Sequence, residues 1–105
     1  MRSSVVMSAR VLIIDSDVGA ATLLAREASS GGHEVVTVGD AASARARVST
    51  FSPDVIILSE RLPDGTGLSL MEELRAQLAH GVFVLIGEDA GSHEQFLQQG
   101  AFDSI

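Results

Sequence analysis

Residues 54–67 read DVIILSERLPDGTG, and this stretch decides the fold. Residues 55–58 are apolar without a break, between the turn signals Ser52-Pro53-Asp54 and Pro63-Asp64-Gly65. Such a run fits a strand buried on both faces, as in a parallel sheet covered by helices, although periodicity alone also fits a piece of buried helix. The β-branched Val55, Ile56 and Ile57 and the flanking prolines favour the strand. In open α/β sheets, ligands and reacting groups gather just beyond the carboxyl ends of strands. Ser59, Glu60 and Arg61 hold that place here.

Outward from this strand, the chain alternates strand and helix signals. Residues 11–14 are an apolar run that ends in Asp15-Ser16-Asp17. Asp17 suits the N-cap of a helix over residues 18–30, which Gly31-Gly32 stops. Residues 34–38 read as a second strand, and Asp40 caps a helix from Ala41 to about Thr50. After the opening strand, Leu68, Met71, Leu74 and Leu78 recur at helical spacing until His80-Gly81 breaks the pattern. Residues 82–86 are a fourth strand. Ser92 to Gln95 has the form of a capping box and opens a short helix that Gly100 ends; a last strand begins near Phe102. Strands alternating with helices over short connections indicate βαβ units and a parallel sheet.

Composition narrows the function classes. At 105 residues the chain is one domain with a sizeable core, and 46% hydrophobic residues exclude a disordered chain. The absence of cysteine removes disulfides, thiolate metal sites and thiol redox chemistry. A net charge of −7, with arginine as the sole basic residue besides histidine, argues against nucleic-acid binding by this domain. The missing lysine excludes Schiff-base chemistry and the P-loop. No apolar run approaches the roughly 20 residues that span a bilayer, and the first ten residues do not form a signal peptide. A soluble, cytoplasmic, non-enzymatic protein is expected.

VLIIDSD, GHEVVTVGDAASA, SPDVIILSERLPDGTGLSLMEELR and QQGAFDSI, in this order and spacing, resemble the receiver domain of bacterial response regulators over residues 10–105. The resemblance implies a flavodoxin-like, doubly wound parallel sheet of order 2-1-3-4-5. It also implies a family function, in which an aspartate accepts a phosphoryl group from a histidine kinase with magnesium. On this reading residues 1–9 are an N-terminal tail, of which 1–6 are dispensable. The receiver-like domain, 10–105, is truncated at strand five and lacks the last helix.

Carried over residue by residue, the resemblance leaves the phosphorylation site largely missing. The phosphoacceptor lies four residues before the proline that matches Pro63, which puts it at Ser59. The acidic pair after strand one falls on Asp15 and Ser16. The hydroxyl at the end of strand four falls on Ile86 or, shifted by one, on Gly87. Arg61 matches the position whose backbone carbonyl binds metal, Pro63 and Gly65 shape the loop, and the family lysine would lie just beyond Ile105. A serine hydroxyl without a neighbouring base is a weak nucleophile, and magnesium wants carboxylate-rich octahedral oxygen ligands. No cofactor is expected, with at most weak magnesium binding at Asp15. Glu60 is a poor substitute acceptor, because strand alternation turns it away from Ser59.

The plainer readings are that Asp15 and Asp17 are strand-exit and cap residues and that Ser59 fills the pocket beside Asp15 as a hydrogen-bond partner. Arg61 and the dispersed His33, His80 and His93 then belong to the solvated surface. The expected function is a receiver-like signalling domain that works without phosphorylation, with a protein partner or output domain. An ordinary receiver with an unusual acceptor is one alternative. A flavodoxin-like small-ligand binder is another, although DSDVGA is no glycine-rich phosphate loop. With one helix left for one face of the sheet, about half of the nine side chains of strands three and four would stay exposed. That predicts a longer native chain or cover by a homodimer.

Overall fold

The structure is a computed structural model that describes residues 8–87. Its elements, in chain order, are β1 (Arg10–Ile14), α1 (Val18–Ser30), β2 (Glu34–Val38), α2 (Ala41–Phe51), β3 (Val55–Ser59), β4 (Arg61–Leu62), β5 (Gly65–Thr66), α3 (Gly67–Arg75) and β6 (Val82–Ile86). Four strands form a parallel sheet of order β2-β1-β3-β6, the expected 2-1-3-4 arrangement. β4 and β5 form a separate two-stranded antiparallel pair, which the sequence did not announce. The helix and strand expected after Ser92 lie outside the described residues.

Local signals explain most boundaries. The Asp17 carboxylate accepts from the Ala20 N–H at 3.1 Å and starts α1. At the far end Gly32, at φ +89°, adopts a conformation that L side chains rarely enter. There Gly32 and His33 donate to the Ser29 and Ala28 carbonyls. Asp40 caps α2 through the Ser43 N–H at 2.7 Å, and Ser52, left-handed at φ 52°, ends it ahead of Pro53. The periodic pattern through Leu78 outlasts its helix. α3 stops at Arg75, and Leu78, in the following turn, packs half-buried against the core.

Asp54 aligns the feet of the three central-to-edge strands. Its N–H donates to the Arg10 carbonyl, its side chain accepts from the Arg10 N–H at 2.9 Å, and its carbonyl accepts from the Val82 N–H. This sets the register Ile14↔Leu58↔Leu85. Successive strand residues then face opposite sides. Leu12, Ile14, Ile56, Leu58, Phe83 and Leu85 pack with Ala44 and Val48 of α2 and Leu70 and Leu74 of α3. Val11 and Ile13, with half-buried Val55 and Ile57, pack against the alanine-lined face of α1 at Ala21, Ala25 and Ala28.

The expected bare face is not bare. None of the nine side chains of β3 and β6 that the sequence argument counted (55–58 and 82–86) is exposed: five are buried and four half-buried. On the α1 side, Val55 and Ile57 of β3 share a cluster with Ala21, Leu24, Ala25 and Ala28 of the helix. These strands therefore give no ground for a homodimer that covers a bare face.

Candidate functional site

The register that builds the core also builds one end of the sheet. Ser59 lies opposite Ile86, and Asp15 follows Ile14 on β1 as Ser59 follows Leu58 on β3. Asp15, Ser59 and Ile86 thus stand in one row at the carboxyl edge, where a switch-point crevice is expected. They line a cleft of about 620 Å³ with Ser16, Asp17, Ala20, Arg61, Leu62, Pro63 and Gly87. Seven positions singled out from the sequence, Asp15, Ser16, Ser59, Arg61, Pro63, Ile86 and Gly87, therefore converge. Gly65 does not; it sits in β5, paired with Leu62. Glu60 does not line this cleft; it borders a second depression with Arg61, Thr66, Leu68 and Leu85. Its backbone bridges the two sides, donating to the Ile86 carbonyl and accepting from the Gly67 N–H.

The two carboxylates of the cleft are engaged locally. One Asp15 carboxylate oxygen accepts from the Asp17 N–H at 2.9 Å, and one Asp17 oxygen is the α1 cap. The expected Ser59–Asp15 hydrogen bond does not form among the described residues, because the Asp15 side chain turns to the backbone of its own loop. The donor set does not fit magnesium. Ser16 and Ser59 are neutral, and no three acidic or histidine side chains come together among the described residues. The Ser59 hydroxyl also has no base beside it in the cleft other than Asp15 and Asp17.

Two residues that shape the loop next to the cleft were not singled out. Asp64, read only as a turn residue, reaches across to α2 and accepts from the Ala41 and Ala42 N–H groups at 2.8 and 3.1 Å. The Ala41 bond is the main reason its carboxyl titrates below the usual range. Together Asp64 and Asp40 satisfy the first three N–H groups of α2. Gly67, the first residue of α3, lies so close to β3 that a Cβ would land on the Ser59 carbonyl oxygen. Nothing local in PDGTGL marks either long-range contact.

The family model for the response regulator receiver domain matches residues 11–105. The chain belongs to the response regulator receiver domain family. It is 30% identical over 84 residues to the alkaline phosphatase synthesis transcriptional regulatory protein PhoP of Bacillus subtilis, a match over 79% of this chain and 35% of that protein. It is 32% identical over 96 residues to the transcriptional regulatory protein KdpE of Mycobacterium tuberculosis, over 90% of this chain and 42% of that one. The chain thus spans less than half the length of these curated relatives. Among solved structures, it superposes on NtrX from Brucella abortus in complex with ADP with a TM-score of 0.78 at 29% identity, over 91% of this chain and 23% of that one. It also superposes on the beryllofluoride-activated N-terminal receiver domain of RstA from Klebsiella pneumoniae, with a TM-score of 0.71 at 25% identity over 87% of this chain and 79% of that one.

This is the receiver domain of a two-component response regulator, a signalling module with the flavodoxin-like receiver fold. No helix among the described residues is long and apolar enough to cross a membrane.

Proposed function

We propose that this receiver domain signals without accepting a phosphoryl group, as a protein-interaction and regulatory module for an output domain or a protein partner in the cytoplasm. The row Asp15–Ser59–Ile86 carries the reading. With Ser59 at the phosphoacceptor position, the row lacks the carboxylate that forms an acyl phosphate. With Ser16 at the second acidic position and Ile86 and Gly87 at the hydroxyl position, the groups that would hold magnesium and the phosphoryl oxygens are missing as well. Glu60 is no substitute, because it lines a different depression from Ser59. The net charge of −7 favours a protein over a nucleic acid as the domain's own partner. We assign residues 1–9 to an N-terminal tail before the domain, although the fold already holds Ala9, whose carbonyl accepts from the Glu34 N–H.

Incubation with acetyl phosphate and magnesium, followed by intact-mass measurement, should show no added phosphoryl mass. Ser59→Asp alone should leave this unchanged, because the second carboxylate and the hydroxyl are still absent. A hydroxylamine-labile adduct on the parent protein would overturn the proposal.

A further inference from the structure

The turn between α1 and β2 carries a histidine that the sequence reading left on the surface. His33 is half-buried, its N–H donates to the Ala28 carbonyl at 3.2 Å, and its ring lies against Gly31, where a Cβ would come within 3.3 Å of Cδ2. The ring Nδ1 accepts a hydrogen bond from the Ala9 N–H at 2.9 Å. The Ala9 carbonyl accepts from the Glu34 N–H at 3.0 Å. Both backbone groups of Ala9, the residue just before β1, are therefore held by consecutive residues of this turn. One of those bonds belongs to the β ladder and does not titrate. The other ends on an imidazole nitrogen.

An imidazole nitrogen that accepts carries no proton, so the neutral ring holds its proton on Nε2. The imidazolium has an N–H on both nitrogens and can accept at neither. Protonation and the Ala9 bond are mutually exclusive. The charged groups on the surrounding elements are Arg26 and Glu27 on α1, Arg10 on β1, Glu34 on β2 and Asp54 at the foot of β3. Arg10 and Glu34 pair with each other at 3.2 Å, and Asp54 accepts from the Arg10 N–H. We propose that His33 is a proton-gated latch, which holds the chain leading into β1 against the α1–β2 turn when neutral and releases the Ala9 N–H when protonated.

The test is nuclear magnetic resonance on nitrogen-15-labelled protein from about pH 8 to about pH 5, the range in which an imidazole titrates. At the alkaline end the His33 ring shifts should report the Nε2–H tautomer. As His33 titrates, the protection factor of the Ala9 amide should fall about five- to tenfold, the loss expected for one net hydrogen bond. His33→Asn, whose side-chain oxygen can accept but does not titrate, should keep Ala9 protected throughout. His33→Ala should leave it poorly protected at every pH. An Nδ1–H tautomer at high pH would overturn the latch, as would unchanged Ala9 protection while His33 titrates or a parent-like pH response in His33→Asn. Two of these outcomes are read on the parent protein, so they stand even where a variant folds poorly.

Discussion

Gly67→Ala perturbs the closest approach between a helix and the sheet. Gly67 opens α3, is buried, and donates its N–H to the Glu60 carbonyl at 2.9 Å. A Cβ at this position would land on the Ser59 carbonyl oxygen and come within 2.7 Å of Leu85 Cδ1. Carbon atoms in contact sit about 3.5–4.0 Å apart, so the Leu85 contact alone is short by about 1 Å. Leu85 can swing aside, but the Ser59 carbonyl is part of β3 and cannot. The first turn of α3 must therefore lift from the strand. Overpacking costs about 1–3 kcal/mol where side chains can yield. With backbone on both sides, and the Glu60–Gly67 bond worth about 1 kcal/mol more, the expected loss is about 3 kcal/mol. That is a large part of the roughly 5–15 kcal/mol that holds a domain folded, and it lowers the melting temperature by about 10–20 °C. The chain has no tryptophan or tyrosine, so urea unfolding is followed by far-ultraviolet circular dichroism. Gly19→Ala is the control. It adds a methyl inside α1 with only an ordinary 3.4 Å contact to Asp17 Oδ1, and it should gain up to about 1 kcal/mol. A Gly67→Ala protein within about 0.5 kcal/mol of the parent would refute the close-approach argument.

Asp64 titrates below its usual range because the Ala41 N–H, ahead of all other influences, favours its ionised form. A carboxyl whose folded pKa is depressed contributes stability that is complete above the unfolded value of about 3.9 and is lost as pH falls through the lower folded value. Asp64→Ala should therefore lower the melting temperature at neutral pH and flatten the acid limb of stability against pH. An unchanged acid limb would count against the Asp64 clamp on α2. Leu74, fully buried between α3 and the sheet, should cost about 2–5 kcal/mol as Leu74→Ala. Leu23→Ala, on the exposed side of α1 at 64% accessibility, should stay within about 0.5 kcal/mol of the parent in the same denaturant titration.

What the chain states locally, it states well. Residues 18–30, 34–38 and 82–86 were read from sequence with the bounds the structure has for α1, β2 and β6. Apolar runs and their Asp and Gly punctuation are short-range signals that each element satisfies by itself. Seven members of the cleft were legible too, through the resemblance to the receiver family, because a parallel sheet brings every strand exit to the same edge. The contacts that decide how that edge is held were not legible. Asp64 lies 23 residues from Ala41, Asp54 lies 44 from Arg10, and His33 lies 24 from Ala9. Each is an ordinary turn residue until strand register brings it beside a backbone group left without a partner. The same holds for the α1 face, where helix counting predicted exposed strands. Val55 and Ile57 join Val11, Ile13 and the α1 alanines at 21, 25 and 28 in one cluster, and only the packed structure shows that none of the nine strand side chains is exposed.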